Sequence, residues 1–282
     1  MTIENHIENY LNSAIPLWNT ELAKLLVENK LKELSLTNTA KNPYKYSIVS
    51  CINNGVHHKE VSIPLYENDD GIKLVLPSAI PDLFYEAHGL ELAAIDKSSD
   101  TEIAKVKSAL AVFKQVPEVY TFINTIVKSI QILQAEDSET DISYSHPDIT
   151  FSIFFSLCEE DSVLSNLRVA ESILHEVMHL YLTLIENKVP LIKQDANNVY
   201  FSPWRDEPRL AKGVLHGLFV FRAILELYKI LKKLEPFANV NEYIECRIIQ
   251  IEDDLNALKE FAAAIDLTTY GAILTIHLLP LN

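Results

Sequence analysis

The chain has 282 residues, of which 48% are hydrophobic and 22% are charged, which excludes a disordered chain and a small disulfide-stapled peptide. Asp and Glu number 39 against 24 for Lys and Arg, so the net charge is -15. This excess of negative charge argues against a nucleic-acid partner, whose phosphates need a basic surface.

Cysteine usage and the N-terminal residues indicate the compartment. Cys51, Cys158 and Cys246 are widely spaced and odd in number, which predicts neither a disulfide framework nor a cysteine metal cluster. The first twenty residues lack the basic start and apolar run of a secretory signal. The apolar stretch 271–281 is too short to cross a bilayer. We therefore expect a soluble, cytoplasmic protein with no membrane partner.

The N-terminal part of the chain is expected to combine helices with a small sheet. Helical spacing of apolar residues runs from Ile3 to about Leu34, with a break near Pro16. Over 44–76, short β-branched runs alternate with Asn-Gly and Asp-Gly turns, which predicts strands.

The rest of the chain returns to helical spacing around one clear strand. Helices are predicted at 101–115 and 117–134, and the alternation from Ile149 to Phe155 predicts a half-buried strand. Ser162 or Ser165 can cap the helix that follows. We divide the chain into an N-terminal elaboration, 1–115, and a metal-binding catalytic region, 116–282, which are expected to form one continuous domain.

The motif that carries chemistry is His175-Glu176-Val177-Met178-His179, an HExxH pattern on a helix expected from about Ser165 to Glu186. Side chains at i and i+4 share one helical face, so the two imidazoles can bind one metal ion. Glu176 lies about 100° round the helix, where its carboxylate can reach a metal-bound water or ligand. The alternative is a pair of core histidines, which would then be buried without an evident partner.

His216 is the first candidate for the third ligand that such a metal needs. It lies 37 residues beyond His179, which leaves room for a loop and for a second helix that returns alongside the first. Gly213 and Gly217 flank His216, and we interpret these helical glycines as allowing a close approach. The alternative is that they serve helix packing alone. Three carboxylates are the alternative ligands: Glu171, Glu186 and Glu226.

Two arginines precede His216. Pro208, after Asp206 and Glu207, predicts the start of the second helix. Arg209 would then lie on the same face as His216, about 10 Å away along the axis, where its guanidinium can bind the far carboxylate of a metal-chelating dicarboxylate. Arg205 can serve equally, and the alternative for each is a surface ion pair with its acidic neighbours.

At this point the sequence resembles the HExxH-motif peptide-modification family, described as 2-oxoglutarate-dependent HExxH-type peptide β-hydroxylases. The resemblance covers about residues 120–230, and Leu210 departs from it because proline commonly follows the second arginine. It rests on four segments in order: 143–154, 171–180, 202–205 with 208–209, and 215–217 with Phe219 and Phe221.

The resemblance implies a mononuclear Fe(II) enzyme that uses 2-oxoglutarate and O2 to hydroxylate a β-carbon in a ribosomally made precursor peptide. His175, His179 and His216 would bind the iron, Arg205 or Arg209 the 2-oxoglutarate, and Glu176 would orient a ligand or a proton. The expected fold is α+β and mostly helical. It has a zincin-like active-site helix, a small β-sheet, and a returning second helix that carries the third ligand.

Two other functions compete with this one. A zinc metallopeptidase would use Glu176 as general base and would pair an extended substrate with the strand from Ile149 to Phe155. A catalytically silent binding protein would hold a structural metal only. In the hydroxylase too, we expect that strand to dock the peptide, with Trp204 and Tyr200 either as pocket walls or as core residues.

Overall fold

The computed structural model describes residues 2–13, 17–36, 62–65, 71–76, 82–96, 98–135, 137, 140–147, 149–158 and 160–279. These residues form a mixed α+β protein that is mostly helical, as the sequence predicts. They divide into two compact units, one of residues 27–180 and one of residues 1–26 with 181–282. None of the helices in these ranges is long and apolar enough to span a membrane. The functional division near residue 115 stays a prediction.

The two N-terminal helices are confirmed. Helix α1 covers Ile3–Asn12 and helix α2 covers Thr20–Leu36. The hydroxyl of Thr2 accepts a hydrogen bond from the Asn5 amide and so caps α1. The expected break at Pro16 and most of the predicted strand region lie outside the described residues.

The unit of residues 27–180 is built on a five-stranded mixed sheet with the order β1-β2-β3-β5-β4. The strands β2, β3 and β5 run parallel, whereas β1 and β4 are antiparallel edges. The apolar core on this sheet includes Val75, Phe84, Leu133 and Phe154. The strands are β1 Ser62–Pro64, β2 Lys73–Val75, β3 Ser129–Leu133, β4 Ser143–Tyr144 and β5 Ser152–Ser156.

The helix predicted at 101–115 is confirmed to within one residue at each end, whereas the helix predicted at 117–134 is too long. Helices α3, Asp82–His88, α4, Asp100–Lys114, and α5, Pro117–Ile126, precede the strand β3. Residues 129–133 were expected at the end of a helix, but they form a strand buried on both faces. Pairing with β2 and β5 determines this conformation, because a short apolar run alone fits either structure.

The strand predicted from Ile149 to Phe155 is confirmed in part. It begins at Ser152, and Phe151 before it has φ 67°, a left-handed conformation that is strained for a bulky residue. All five residues of β5 are buried, so the polar face expected from the alternation is covered. The Ser152 hydroxyl instead lies 2.7 Å from the Ser129 hydroxyl within the sheet.

The motif-bearing helix, α6, covers Val163–Glu186, close to the expected range. Ser162 caps it: its hydroxyl accepts from the Ser165 amide, and the Ser165 hydroxyl accepts in return from the Ser162 amide. Ile173, Val177 and Leu180 are buried on this helix. The helix is continuous across residue 180, where the two units divide.

The unit of residues 1–26 and 181–282 contains a β-hairpin followed by helices. Strands β6, Val199–Ser202, and β7, Glu207–Leu210, pair antiparallel with Tyr200 opposite Arg209. Helix α7 covers Ala211–Leu231, α8 covers Asn241–Ala257 and α9 covers Thr269–Leu278.

The predicted start of the second helix is therefore wrong. The helix begins at Ala211 rather than at Pro208, which lies in β7 opposite Phe201. Proline is compatible with the first turn of a helix and with an edge strand, and pairing with β6 selects the strand. Arg209 consequently does not share a helix with His216.

Candidate metal centre

The two histidines of the motif lie together on α6. Their Nε2 atoms are 3.1 Å apart and their ring centroids 4.8 Å apart. Two imidazole nitrogens this close can bind one metal ion together. Both rings are half-buried.

Glu176 is held by two serines of residues 143–146, the segment that contains the edge strand β4 and is called the edge-strand segment below. The Ser143 hydroxyl donates to Oε1 and the Ser145 hydroxyl donates to Oε2, each over 2.6 Å. Alternate residues of an extended chain project to the same side, so Ser143 and Ser145 reach one carboxylate together. Glu176 Oε1 lies 4.0 Å from His175 Nε2, which places the carboxylate beside the histidine pair.

The protonation of Glu176 is set by opposing effects. Burial raises its pKa to about 7, because a charged carboxylate loses its hydration, although the two serine hydrogen bonds favour the charged form. The carboxyl group can therefore exchange a proton near neutral pH.

His216 contacts a carboxylate. Its Nε2 lies 2.9 Å from Glu186 Oε2, and Lys212 Nζ lies 3.2 Å from the same oxygen. Burial acts to raise the pKa of Glu186, but its hydrogen bonds and electrostatic interactions with His216 and Lys212 outweigh burial and lower that pKa. Because Nε2 contacts Glu186, a metal at His216 would bind Nδ1. A ligand histidine that donates its other N–H to a carboxylate is a common arrangement in metal sites.

The three-histidine site stays a prediction. Within the ranges given above, no group of three or more His, Cys, Asp or Glu side chains is arranged to hold a metal ion. Among the alternative ligands, Glu186 pairs with His216, and Glu226 Oε1 lies 2.8 Å from Arg222. Glu171 is half-buried on α6.

The arginines lie on the hairpin. Arg209 is on β7, where its Nε is 4.0 Å from Glu207 Oε1, and Arg205 is exposed in the turn between the strands. The Arg209 side chain lies against Gly213, since a Cβ at that glycine would be 3.4 Å from its Nε. The expected helical spacing to His216 is wrong, and binding of 2-oxoglutarate by Arg205 or Arg209 stays a prediction.

Gly217 does allow a close approach, but to the hairpin turn rather than to the motif helix. A Cβ at Gly217 would lie 2.6 Å from the Trp204 ring, which stacks on Phe221 at 4.8 Å with an interplanar angle of 8°. Trp204 and Tyr200 are both half-buried, and Tyr200 donates to Asp266 over 3.1 Å. They pack on their own unit, and the choice between pocket walls and core residues stays a prediction.

The prediction that the strand 149–155 docks a peptide is wrong. Strand β5 lies inside the sheet, paired with β3 along its whole length and with β4 at Phe154 and Phe155, so it is not an edge strand to which a peptide can be added. The edge beside it is β4, whose segment carries Ser143 and Ser145.

Sequence reasoning assigned no role to Ser143, Ser145 or Lys212, and it offered Glu186 as an alternative metal ligand rather than as a partner of His216. The two serines contact Glu176, Glu186 contacts His216, and Lys212 contacts Glu186. The Ser-x-Ser spacing is a signal for two hydroxyls on one side of an extended segment. No local pattern predicts the contact of His216 with Glu186, which comes from different elements.

No protein-family model matches the chain, and a search of curated proteins finds no significant match.

Proposed function

We propose that the protein is an Fe(II)- and 2-oxoglutarate-dependent dioxygenase that hydroxylates a β-carbon in a ribosomally made peptide. The observation that carries the proposal is the 3.1 Å separation of the His175 and His179 Nε2 atoms beside a buried carboxylate. Two converging imidazoles suit a non-haem iron site. The zincin-like character of α6 and the cytoplasmic location belong to the same proposal.

His175 and His179 would hold the metal, with His216 as the third protein ligand. When bound, the iron and 2-oxoglutarate would supply the electrons that activate O2 for hydroxylation. Glu176, fixed by Ser143 and Ser145, exchanges a proton at its carboxyl group beside the two rings. Arg205 or Arg209 binds the distal carboxylate of 2-oxoglutarate by a bidentate ion pair.

The substrate peptide would pair with β4 rather than with β5. An extended peptide added to that edge lies beside Ser143 and Ser145, and therefore near Glu176. Main-chain hydrogen bonds give such docking little dependence on sequence, which suits an enzyme that acts on one residue of a longer peptide.

The first experiment measures succinate formed from 2-oxoglutarate by the full chain with Fe(II) in air. We expect succinate from the wild type and none from His175→Ala or His179→Ala, whereas the exposed His277→Ala is the matched control with full activity. Arg209→Ala and Arg205→Ala are compared by calorimetry of 2-oxoglutarate binding. Loss of one charge-assisted hydrogen-bond pair predicts a 10- to 100-fold weaker affinity for the arginine that binds it. Wild-type affinity in both variants would contradict the cofactor placement.

A zinc metallopeptidase remains the second candidate, because a Glu176 pKa of about 7 suits a general base. Both carboxylate oxygens already accept serine hydroxyls, which limits how the group can turn toward a water. Peptide cleavage with zinc and without 2-oxoglutarate, lost in Glu176→Gln, would select this candidate over the hydroxylase.

A further inference from the structure

A second pair of histidines lies on the other side of the edge-strand segment. His88 ends α3, and His146 follows β4; their ring centroids are 4.9 Å apart with an interplanar angle of 72°. Both rings are half-exposed. Tyr144 lies against both, at 5.6 Å from His88 and 6.2 Å from His146.

Alternation along this segment separates the pair from the HExxH motif. Ser143 and Ser145 contact Glu176, whereas Tyr144 and His146 contact Phe84 and His88. Successive side chains of an extended chain project to opposite sides. His88 and His146 therefore form a site of their own, which shares no residue with the candidate metal centre.

The hydrogen bond of His88 determines its tautomer. Nδ1 lies 2.7 Å from the Phe84 carbonyl oxygen, which can only accept, so Nδ1 carries the proton. In the neutral ring Nε2 is then the atom with the lone pair. A carbonyl that receives one ring N–H while the other nitrogen binds a metal is the usual support of a ligand histidine.

The ring separation fits one shared ion. The centroid of an imidazole ring lies about 3.2 Å from a metal ion that its nitrogen binds over about 2.1 Å. If both rings bind one ion, a centroid separation of 4.9 Å corresponds to an angle of about 100° between the two centroids at the ion. The pair His175 and His179 has almost the same arrangement, 4.8 Å and 64°, with its nitrogens 3.1 Å apart. Phe84, fully buried beneath both His88 and His146, supports the rings from the core.

We propose that His88 and His146 bind a divalent transition-metal ion of borderline softness, such as Zn2+, Ni2+ or Cu2+, with water as the remaining ligands. Imidazole is the preferred ligand of these ions. The ion joins the end of α3 to the segment whose opposite side holds Glu176, and so stiffens the support of that carboxylate. This inference does not depend on the proposed function.

The test removes the motif site first. In the full-length double variant His175→Ala/His179→Ala, stripped with chelator, calorimetry with Zn2+ and with Ni2+ should find about one bound equivalent. Binding of the ion to the folded state only should also raise the unfolding temperature with metal concentration. Adding His146→Ala should abolish both effects, whereas adding His277→Ala should change neither.

Folding is checked by circular dichroism. His88→Ala, added to the double variant, should also abolish metal binding. If that protein does not fold, His88→Asn keeps a donor near the Phe84 carbonyl while removing the second ring nitrogen, and it too should abolish binding. No bound metal in the motif double variant, or unchanged binding after His146→Ala, would overturn the proposal. Succinate formation by the wild type is measured separately. If the double variant binds no metal, the dioxygenase proposal still stands, and if the wild type forms no succinate, the proposed site at His88 and His146 still stands.

Discussion

Replacing His216 by alanine separates its two possible roles, metal ligand and partner of a buried carboxylate. Glu186 is only 12% exposed and loses a 2.9 Å contact, keeping Lys212 at 3.2 Å. A hydrogen bond to a charged group contributes about 1.5–3 kcal/mol, so the free energy of unfolding of the metal-free protein should fall by about that amount. If His216 is also the third ligand, affinity for Fe(II) should fall at least about 100-fold, equivalent to about 2.7 kcal/mol.

The two quantities are measured on the same preparations, by urea unfolding without metal and by competitive titration of Fe(II) under anaerobic conditions. Glu186→Gln keeps the His216 ring and removes the carboxylate charge that orients this ring. We expect this change to weaken Fe(II) affinity 10- to 100-fold. Lys212→Ala is the control, since its exposed ammonium contributes under about 1 kcal/mol. A His216→Ala protein that is destabilised but binds Fe(II) like the wild type would refute the three-histidine reasoning.

Further predictions concern packing and pH. Gly217→Ala places a Cβ 2.6 Å from the Trp204 ring and should lower the free energy of unfolding by about 1–3 kcal/mol. Gly213→Ala, whose Cβ would lie 3.4 Å from the flexible Arg209 side chain, should be neutral or stabilising. Urea unfolding of both variants measures the two changes, and equal losses of stability would contradict the prediction. The pKa of Glu176 rises from 4.5 unfolded to about 7 folded, so its stabilising effect is complete below pH 4.5 and is lost as the pH approaches 7. The metal-free wild type should therefore lose up to about 3 kcal/mol between pH 4.5 and 8 that Glu176→Gln does not lose.

Local pattern was sufficient for the parts of the molecule that one element determines. The helix bearing His175 and His179 follows from apolar spacing and the Ser162 cap, and i, i+4 geometry predicts that the two rings meet. Long-range pairing decided the rest. Residues 129–133 and Pro208 each fit two structures locally, and the neighbouring strands select one of them.

The candidate site was harder to predict than the fold for the same reason. A prediction of helical spacing between Arg209 and His216 assumed that one element carries both, but β7 carries the arginine and α7 the histidine. The half-exposed strand predicted at β5 was also wrong, because alternation along one strand contains no information about what covers the two faces of its sheet. Contacts such as His216 with Glu186 join elements far apart in sequence, and their geometry depends on packing.

Adjacent residues of the edge-strand segment contact different sites, so substitutions at neighbouring positions test these sites separately. Its register, with Ser143 opposite Phe155 and Tyr144 opposite Phe154, fixes which side chains face Glu176. Ser145→Ala removes a 2.6 Å hydrogen bond that favours the charged carboxylate, so the pKa of Glu176 should rise further. Titration of the metal-free variant by urea unfolding should then show a loss of stability that begins near the same pH as in the wild type and continues to higher pH. His146→Ala, one residue away, should leave that titration unchanged, and a shared shift would mean that the two sides of the segment are coupled.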